Sequence, residues 1–371
     1  MKIGLNATCF NMRPSGAKHR FLGIYRHLFE LLPNAQFIVY QPKDFEISKC
    51  FFDSKNVKFI TLPVNSRSRY LKFLIGLMIF PKIFKKEKFD IFESFNFPLI
   101  RGKSEYSILT IHDIRGLNHQ SNILLYKLYK LAYFFSIRRA DRIITVSYSM
   151  KEEIHNSFSY EEKISVIYNG ISRKNSTKNF KLKDLRNAIP QIPDNFILSV
   201  GHFEARKNYP KLISAMKILK TNGLNLNLII VGNDSGKKNE IRDQIEKLNL
   251  HENVILLDAI EDSILDALYR HAELFVFPSY YEGFGIPILE SLDAGTPVLL
   301  SNIKVFKEIT KNIYHTNYFD PEDPIDIAEK IEQTLLRLRS KSSKEKISVP
   351  DEFEYKVIAK NLKDLYIKVI K

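Results

Sequence analysis

The stretch FVFPSYYEGFGIPILESLDAGTPVLLSN, residues 275–302, reads as strand, turn, helix and strand in succession. LFVFPS (274–279) is a short apolar run, as in a strand buried on both faces. IPILESLDAG (286–295) is a helix, with Pro287 in its first turn and Gly295 just past its end. The turn GFG, Gly283-Phe284-Gly285, therefore sits at the carboxyl end of a strand, the edge where open parallel sheets take ligands. Glycines there let backbone N–H groups approach a phosphate, and the helix start at Ile286 favours negative charge. Glu290, in the first turns of that helix, can accept two hydrogen bonds from a vicinal diol such as a ribose. Glu282, on the loop side, is placed to meet a polar group beyond the phosphates. A plainer reading has Glu290 complementing the helix dipole and Glu282 solvated. The two glutamates alone leave that choice open.

The same alternation runs outward in both directions. KIGLNA, FIVYQ, VKFITL, FDIFES, SILTIHD, RIITVS and ISVIYN are strand candidates in the first half, with helical stretches such as 17–32 and 122–139 between them. FILSVG, NLIIVG, VILLD, LFVFPS and PVLLSN follow in the second half. Strands alternating with helices predict parallel sheets covered on both faces, and two series predict two doubly wound α/β domains. The polar, lysine-rich segment 169–195, with Pro190 and Pro193 near its end, separates them. We place the domains at 1–172 and 173–350. Residues 351–371 form a C-terminal helix that follows the polar run SKSSKEK and is free to pack back on the first domain.

A chain of 371 residues exceeds what one core usually supports. Two cysteines, Cys9 and Cys50, are too few for a disulfide scaffold and fit a cytoplasmic protein. MKIGLNATCF reads as a strand rather than a secretory signal. The net charge of +14 suggests an anionic partner or a solvated lysine surface. No recognisable nucleic-acid motif accompanies it, which ranks nucleic acid low. Residues 66–90 hold an apolar run from Phe73 to Phe80, ended by Pro81 and flanked by Arg67, Arg69, Lys72, Lys82, Lys85, Lys86 and Lys88. The run is far short of the roughly 20 residues that span a bilayer. It reads either as a buried helix with charged ends or as a surface lying on an anionic membrane.

Two further strand ends carry chemistry. After FILSVG comes HFEARKNYPKLISAMKIL, a loop with the adjacent cations Arg206 and Lys207 before a helix. Two cations there suit a pyrophosphate, arginine bidentately and lysine as a point charge. SILTIHD ends in His112-Asp113. That histidine could contact a sugar hydroxyl or a phosphate, act as acid or base, or simply be a core histidine satisfied by Asp113. The first strand leads through TCFNMRPSG to Gly16 at a helix start. It is not the GxGxxG dinucleotide pattern.

These residues resemble the retaining glycosyltransferases of family 4, also called group 1, which have the GT-B fold of two Rossmann-like domains facing each other across a cleft. FVFPSYYEGFGIPILESLDAGTPVLLSNI carries the family's Glu-x7-Glu signature at Glu282 and Glu290. SVGHFEARKN matches its donor-phosphate loop. VILLDAIEDSILDALYRHAELF and YFDPEDPIDIAEKI match flanking segments; TIHDI, RIITVSYSMKEEI and ISVIYNGI match more loosely. The resemblance implies that Glu282 contacts the transferred sugar, Glu290 the ribose, and Arg206 and Lys207 the diphosphate. It implies that Gly283, Phe284, Gly285 and Ile286 line the donor site and the backbone near Ile260 reads the base. Gly16, His112 and Asp113 would lie on the acceptor side. Glu282, Lys207, Arg206 and His112 would be the catalytic set, with no cofactor.

The chain departs from the pattern at His202, where many members have arginine, at Asp258, which replaces a usual glycine, and at NIYHTN before YFDPEDP. The chain contains no Asp-x-Asp, so a metal need not supply charge. The expected activity is transfer of a hexose, first mannose from GDP-mannose, to a hydroxyl of a glycan acceptor. That acceptor is expected to be lipid-linked, in bacterial surface polysaccharide (O-antigen or capsule) synthesis at the cytoplasmic face of the membrane. A nucleotide-sugar 2-epimerase and a non-catalytic anion-binding protein are the competing classes.

Overall fold

The computed structural model describes the chain except residues 14, 52–53, 67–68, 96–103, 116–122, 161, 174–181, 259, 314–315, 341–347 and 371, and except the side chains of 69–77 and 125. Its elements fall into two compact units, Met1–Ser172 with Asp351–Lys371, and Arg173–Pro350.

The first unit holds β1 (Lys2–Asn6), α1 (Gly16–Leu31), β2 (Gln36–Pro42), β3 (Val57–Leu62), α2 (Arg69–Lys86), β4 (Phe89–Ser94), β5 (Ser104–Ile111), α3 (Ile123–Arg139), β6 (Arg142–Thr145), α4 (Tyr148–Phe158) and β7 (Ile164–Val166). Its strands form one parallel sheet in the order β3-β2-β1-β4-β5-β6-β7. The second unit holds α5 (Leu182–Ala188), β8 (Ile197–Val200), α6 (Tyr209–Thr221), β9 (Leu228–Val231), α7 (Lys238–Lys247), β10 (Val254–Leu257), α8 (Asp262–His271), β11 (Leu274–Phe277), α9 (Ile286–Asp293), β12 (Val298–Ser301), α10 (Lys304–Ile309), β13 (Asn317–Phe319) and α11 (Pro324–Ser340). Its sheet, also parallel, has the order β10-β9-β8-β11-β12-β13. All four residues of β9, β11 and β12 are buried, which is why these strands are unbroken apolar runs rather than alternating ones. Every strand read from the sequence is present, and β13 is an addition.

In both sheets the strand order reverses once, between β1 and β4 in the first and between β8 and β11 in the second. At such a point the following helices leave to opposite faces, and a crevice opens beyond the carboxyl ends of the two strands.

The last helix, α12 (Tyr355–Ile370), belongs to the first unit and packs along α1. Gly23 makes this approach possible, because a Cβ there would lie 2.2 Å from the Tyr355 ring. A buried polar knot fastens the helix. Tyr366 Oη and Thr110 Oγ1 make short hydrogen bonds to the Glu93 carboxylate, and Tyr25 Oη donates to it at 2.7 Å. Burial pushes the Glu93 carboxyl above its ordinary range against those hydrogen bonds. Arg20, also buried, donates to Ile167 O at 2.8 Å and to Asn169 Oδ1 at 3.2 Å, holding the end of the β7 segment.

The apolar stretch at 66–90 is α2, and Pro81 does not end it: the helix runs on to Lys86. Proline inside a helix costs one backbone hydrogen bond but permits continuation as a kink. Phe80 and Phe84 pack with Tyr40, Phe89 and Phe92 in a core cluster, so this half of the helix is a core element. Arg67 and the side chains of Arg69, Lys72 and Phe73 lie outside the described residues.

Candidate functional site

The loops after β8 and β11 leave neighbouring strands at the reversal point of the second sheet. After β8 a single 3-10 turn, Ala205–Lys207, presents the two cations, and Asn208 ends it in a left-handed conformation (φ 55°) as α6 begins. The Asn208 amide donates to Pro321 O at 2.8 Å, which holds that conformation. Tyr280 N donates to Arg206 O at 2.9 Å and joins the two loops by their backbones.

One carboxylate gathers both cations. Glu282 Oε1 lies 2.7 Å from Lys207 Nζ, and Oε2 lies 2.6 Å from Arg206. Ser279 Oγ donates to Oε1 at 2.9 Å. Arg206 also pairs with Glu204 at 2.6 Å and donates to Tyr281 O at 3.1 Å. Lys207 Nζ stands 4.5 Å over the Phe277 ring. The side chains of Lys207 and Glu282 are only 7% and 10% exposed. Glu282 is thus not a solvated loop residue, and that reading is corrected: a charge so deeply placed stays only because partners hold it.

Burial alone would push the Glu282 carboxyl up, but Lys207 and Arg206 bring it down to about 2. The Lys207 ammonium is lowered by burial, a fall that Glu282 opposes. Counted together, Arg206 and Lys207 balance Glu204 and Glu282. The cluster is a neutral network of charged hydrogen bonds in which two cationic donors meet one carboxylate.

Gly283, Phe284 and Gly285 lead from Glu282 into α9. Gly285 has φ 131°, a conformation closed to side chains, and an added Cβ would also meet Ile288 Cδ1 at 3.0 Å. That geometry turns the chain so that α9 starts with its N–H groups at the sheet edge, while Phe284 and Ile286 are buried beneath. Gly285→Ala is expected to cost about 1–3 kcal/mol of stability and to weaken pyrophosphate binding about tenfold through the misplaced helix start. Calorimetric titration with pyrophosphate and a denaturant series check both; unchanged binding would show that the turn does not hold the anion.

Glu290, one turn into α9, accepts from Tyr269 Oη at 3.0 Å. Burial, then Glu290, raises the Tyr269 phenol well above its ordinary value, so it stays a donor. Tyr269 escaped the sequence reading because an aromatic inside amphipathic α8 looks like core. Ile260 stands half-buried before α8, and Ala259 lies outside the described residues. Asp258, in place of a glycine, is tied to Lys238 at 2.5 Å, whose ammonium lies 5.7 Å from the Phe203 ring.

The remaining residues belong to the first unit. Gly16 opens α1, where Ser15 caps the helix through Lys18 N at 3.3 Å. His112 follows β5 directly. Among the described residues neither of its buried ring nitrogens has a hydrogen-bond partner, and burial and then Arg20 lower its pKa to about 3. Asp113 does not satisfy it, which corrects that possibility: its carboxylate turns to Arg115, at 3.5 Å. His112 is therefore a neutral imidazole at physiological pH.

Two family profiles match the chain, one described as Glycosyl transferases group 1 over residues 184–346 and one as Glycosyltransferase Family 4 over residues 36–174. The O-antigen chain mannosyltransferase RfbU of Salmonella typhimurium is 30% identical over 227 residues, 61% of this chain and 59% of RfbU. The serotype-specific mannosyltransferase WbdA of Escherichia coli is 32% identical over 213 residues, 53% of this chain and 25% of WbdA. The chain thus spans less than two thirds of the length of either relative. Among solved structures, Anabaena Alr3699/HepE in complex with UDP and glucose superimposes with a TM-score of 0.72 at 18% identity, covering 99% of this chain and 100% of the other. These likenesses agree with the two parallel sheets in assigning the GT-B fold.

Proposed function

From the premise that this chain belongs to the group 1 (family 4) glycosyltransferases, we propose that it moves a hexose from a nucleoside diphosphate sugar to a hydroxyl of a glycan acceptor, with retention of anomeric configuration. The observation that carries this reading is the convergence of Arg206 and Lys207 on Glu282 beside the start of α9, at the reversal point of a parallel sheet. The proposed donor is GDP-mannose. The proposed acceptor is a lipid-linked glycan of a bacterial surface polysaccharide, the class in which the O-antigen mannosyltransferase relative is named.

The chemistry asked of the protein is charge stabilisation. The bond between the anomeric carbon and the diphosphate oxygen breaks, leaving an oxocarbenium-like sugar and an anionic diphosphate. Arg206, Lys207 and the α9 N-terminus meet that anion in a site largely shut off from water, where fixed donors act strongly. The acceptor oxygen attacks from the same face and passes its proton to the departing phosphate. Glu282 holds the cations in place and offers its carboxylate to the sugar. Glu290, oriented by Tyr269, accepts from the ribose hydroxyls. His112, neutral, serves the sugar side as a hydrogen-bonding imidazole rather than a cation.

A thermal-shift panel with UDP, GDP, dTDP, ADP and CDP, without metal, tests the donor site. Binding to the folded state alone raises the melting temperature by mass action, by about 2.7 kcal/mol of stability at a hundred times Kd. GDP is expected to give the largest shift. A larger shift with another diphosphate would replace the donor, and no shift with any would overturn the site.

A further inference from the structure

Helix α3 has two apolar faces, and among the described residues one is buried and the other exposed. Tyr133, Ser136 and Ile137 are buried against the first unit. On the opposite side Leu124, Leu128, Leu131 and Phe135 are 67%, 53%, 52% and 47% exposed, with Ile123 at 73%. Their spacing of four, three and four residues places the last three and Leu124 in a single row along the helix. Lys127 and Arg138 flank the row on one side, and Arg139 flanks it on the other. Lys130 stands further round, and all four cations are exposed. The segment ILLYKLYKLAYFFSIRR contains no carboxylate. Arg138 lies 4.3 Å from the Phe134 ring and Arg139 5.9 Å from the Phe135 ring, which sets the cations beside the apolar row. An exposed apolar patch rimmed by charge marks an interaction surface.

We propose that α3 lies flat on an anionic phospholipid surface, with Leu124, Leu128, Leu131 and Phe135 at the level of the acyl chains and Lys127, Arg138 and Arg139 at the phosphates. The charge decides the occupant. In a two-fold pairing of copies through this face, rows of cations would oppose one another with no carboxylate on α3 to meet them. A nucleic acid would meet the cations but leave the apolar row in water. An anionic bilayer interface satisfies both parts at once. With 17 residues and cations along its length, α3 has the pattern of a helix lying on a bilayer rather than crossing it. The proposal is independent of the sugar-transfer reading. It also differs from a contact through α2, whose Phe80 and Phe84 are committed to the core.

The chain has no tryptophan, so Phe135→Trp installs a single reporter in the row. The full-length protein is mixed with phosphatidylglycerol-containing vesicles and with phosphatidylcholine vesicles, at low and high salt. Co-sedimentation with the anionic vesicles at low salt, a blue-shifted emission and quenching by brominated acyl chains are expected. Leu128→Ser with Leu131→Ser is expected to weaken vesicle affinity by at least about tenfold with the unfolding midpoint unchanged, because both side chains are exposed. No co-sedimentation would overturn the proposal. So would co-sedimentation with emission and affinity untouched by these changes, which would move the contact to another surface. A dimer that the double substitution dissociates would show the face to be an interface between copies and overturn it equally.

Discussion

Lys207→Ala is expected to lower sugar transfer by about 10³-fold, the loss that follows removal of one preorganised donor to a developing oxyanion. Lys207 is nearly buried, held by Glu282 at 2.7 Å and lying 4.5 Å over the Phe277 ring, so its truncation removes a donor whose position is fixed. The variant should still fold. Glu282 keeps Arg206 at 2.6 Å and Ser279 at 2.9 Å, and the carboxylate left behind is not stranded. The stability loss should therefore stay at or below about 3 kcal/mol, the lower end for breaking a buried pair. Initial rates of nucleoside diphosphate release, read beside a denaturant unfolding curve, separate the two effects. Turnover near that of the unaltered protein would remove Lys207 from the mechanism.

Glu282→Gln is expected to be the more damaging change to the fold. It takes from Lys207 the carboxylate that lies 2.7 Å away and leaves Arg206 its pairing with Glu204. The carboxyl titrates near 4.5 in an unfolded chain and at about 2 in the folded one. A depressed acid stabilises the fold above its unfolded value and loses that contribution as pH falls from about 4.5 toward about 2. By linkage the contribution is about 3 kcal/mol at neutral pH. Unfolding curves for both proteins between pH 7 and pH 3 check the sign. The gap between them should be widest at neutral pH and narrow in acid. Parallel curves would mean that the ion triad does not support the second unit. Transfer should be lost as well, since the two cations no longer share a fixed aim.

What the sequence disclosed follows a physical division. Buried parallel strands are unbroken apolar runs, and the GFG turn is marked by glycines that only a tight strand-to-helix passage requires, so the two sheets and the loops carrying Arg206, Lys207 and Glu282 were legible. Three things were not. β13 is three residues long, and Asn317 and Tyr318 in it are only half-buried, so no apolar run marks it as a strand. The mutual capture of Glu282 by Arg206 and Lys207 depends on β8 and β11 being neighbours, which strand order decides and periodicity does not. The knot of Glu93, Tyr25 and Tyr366 joins three distant segments, each of which reads locally as an ordinary strand or helix position. Helices α2 and α3 are both rich in apolar and basic residues, though only α2 stood out in the sequence. Only the fold separates them, by burying Phe80 and Phe84 of one and leaving Leu128, Leu131 and Phe135 of the other in solvent.

The central claim is retaining transfer from a nucleoside diphosphate sugar. Its most direct test is to incubate the protein with labelled GDP-mannose, chelator and membranes carrying lipid-linked glycans, then to determine the anomeric configuration of the labelled product. The account predicts label in the lipid-extractable glycan, in the same configuration as the donor, with release of one GDP per sugar. An inverted linkage would contradict it, as would label recovered only as free or epimerised sugar.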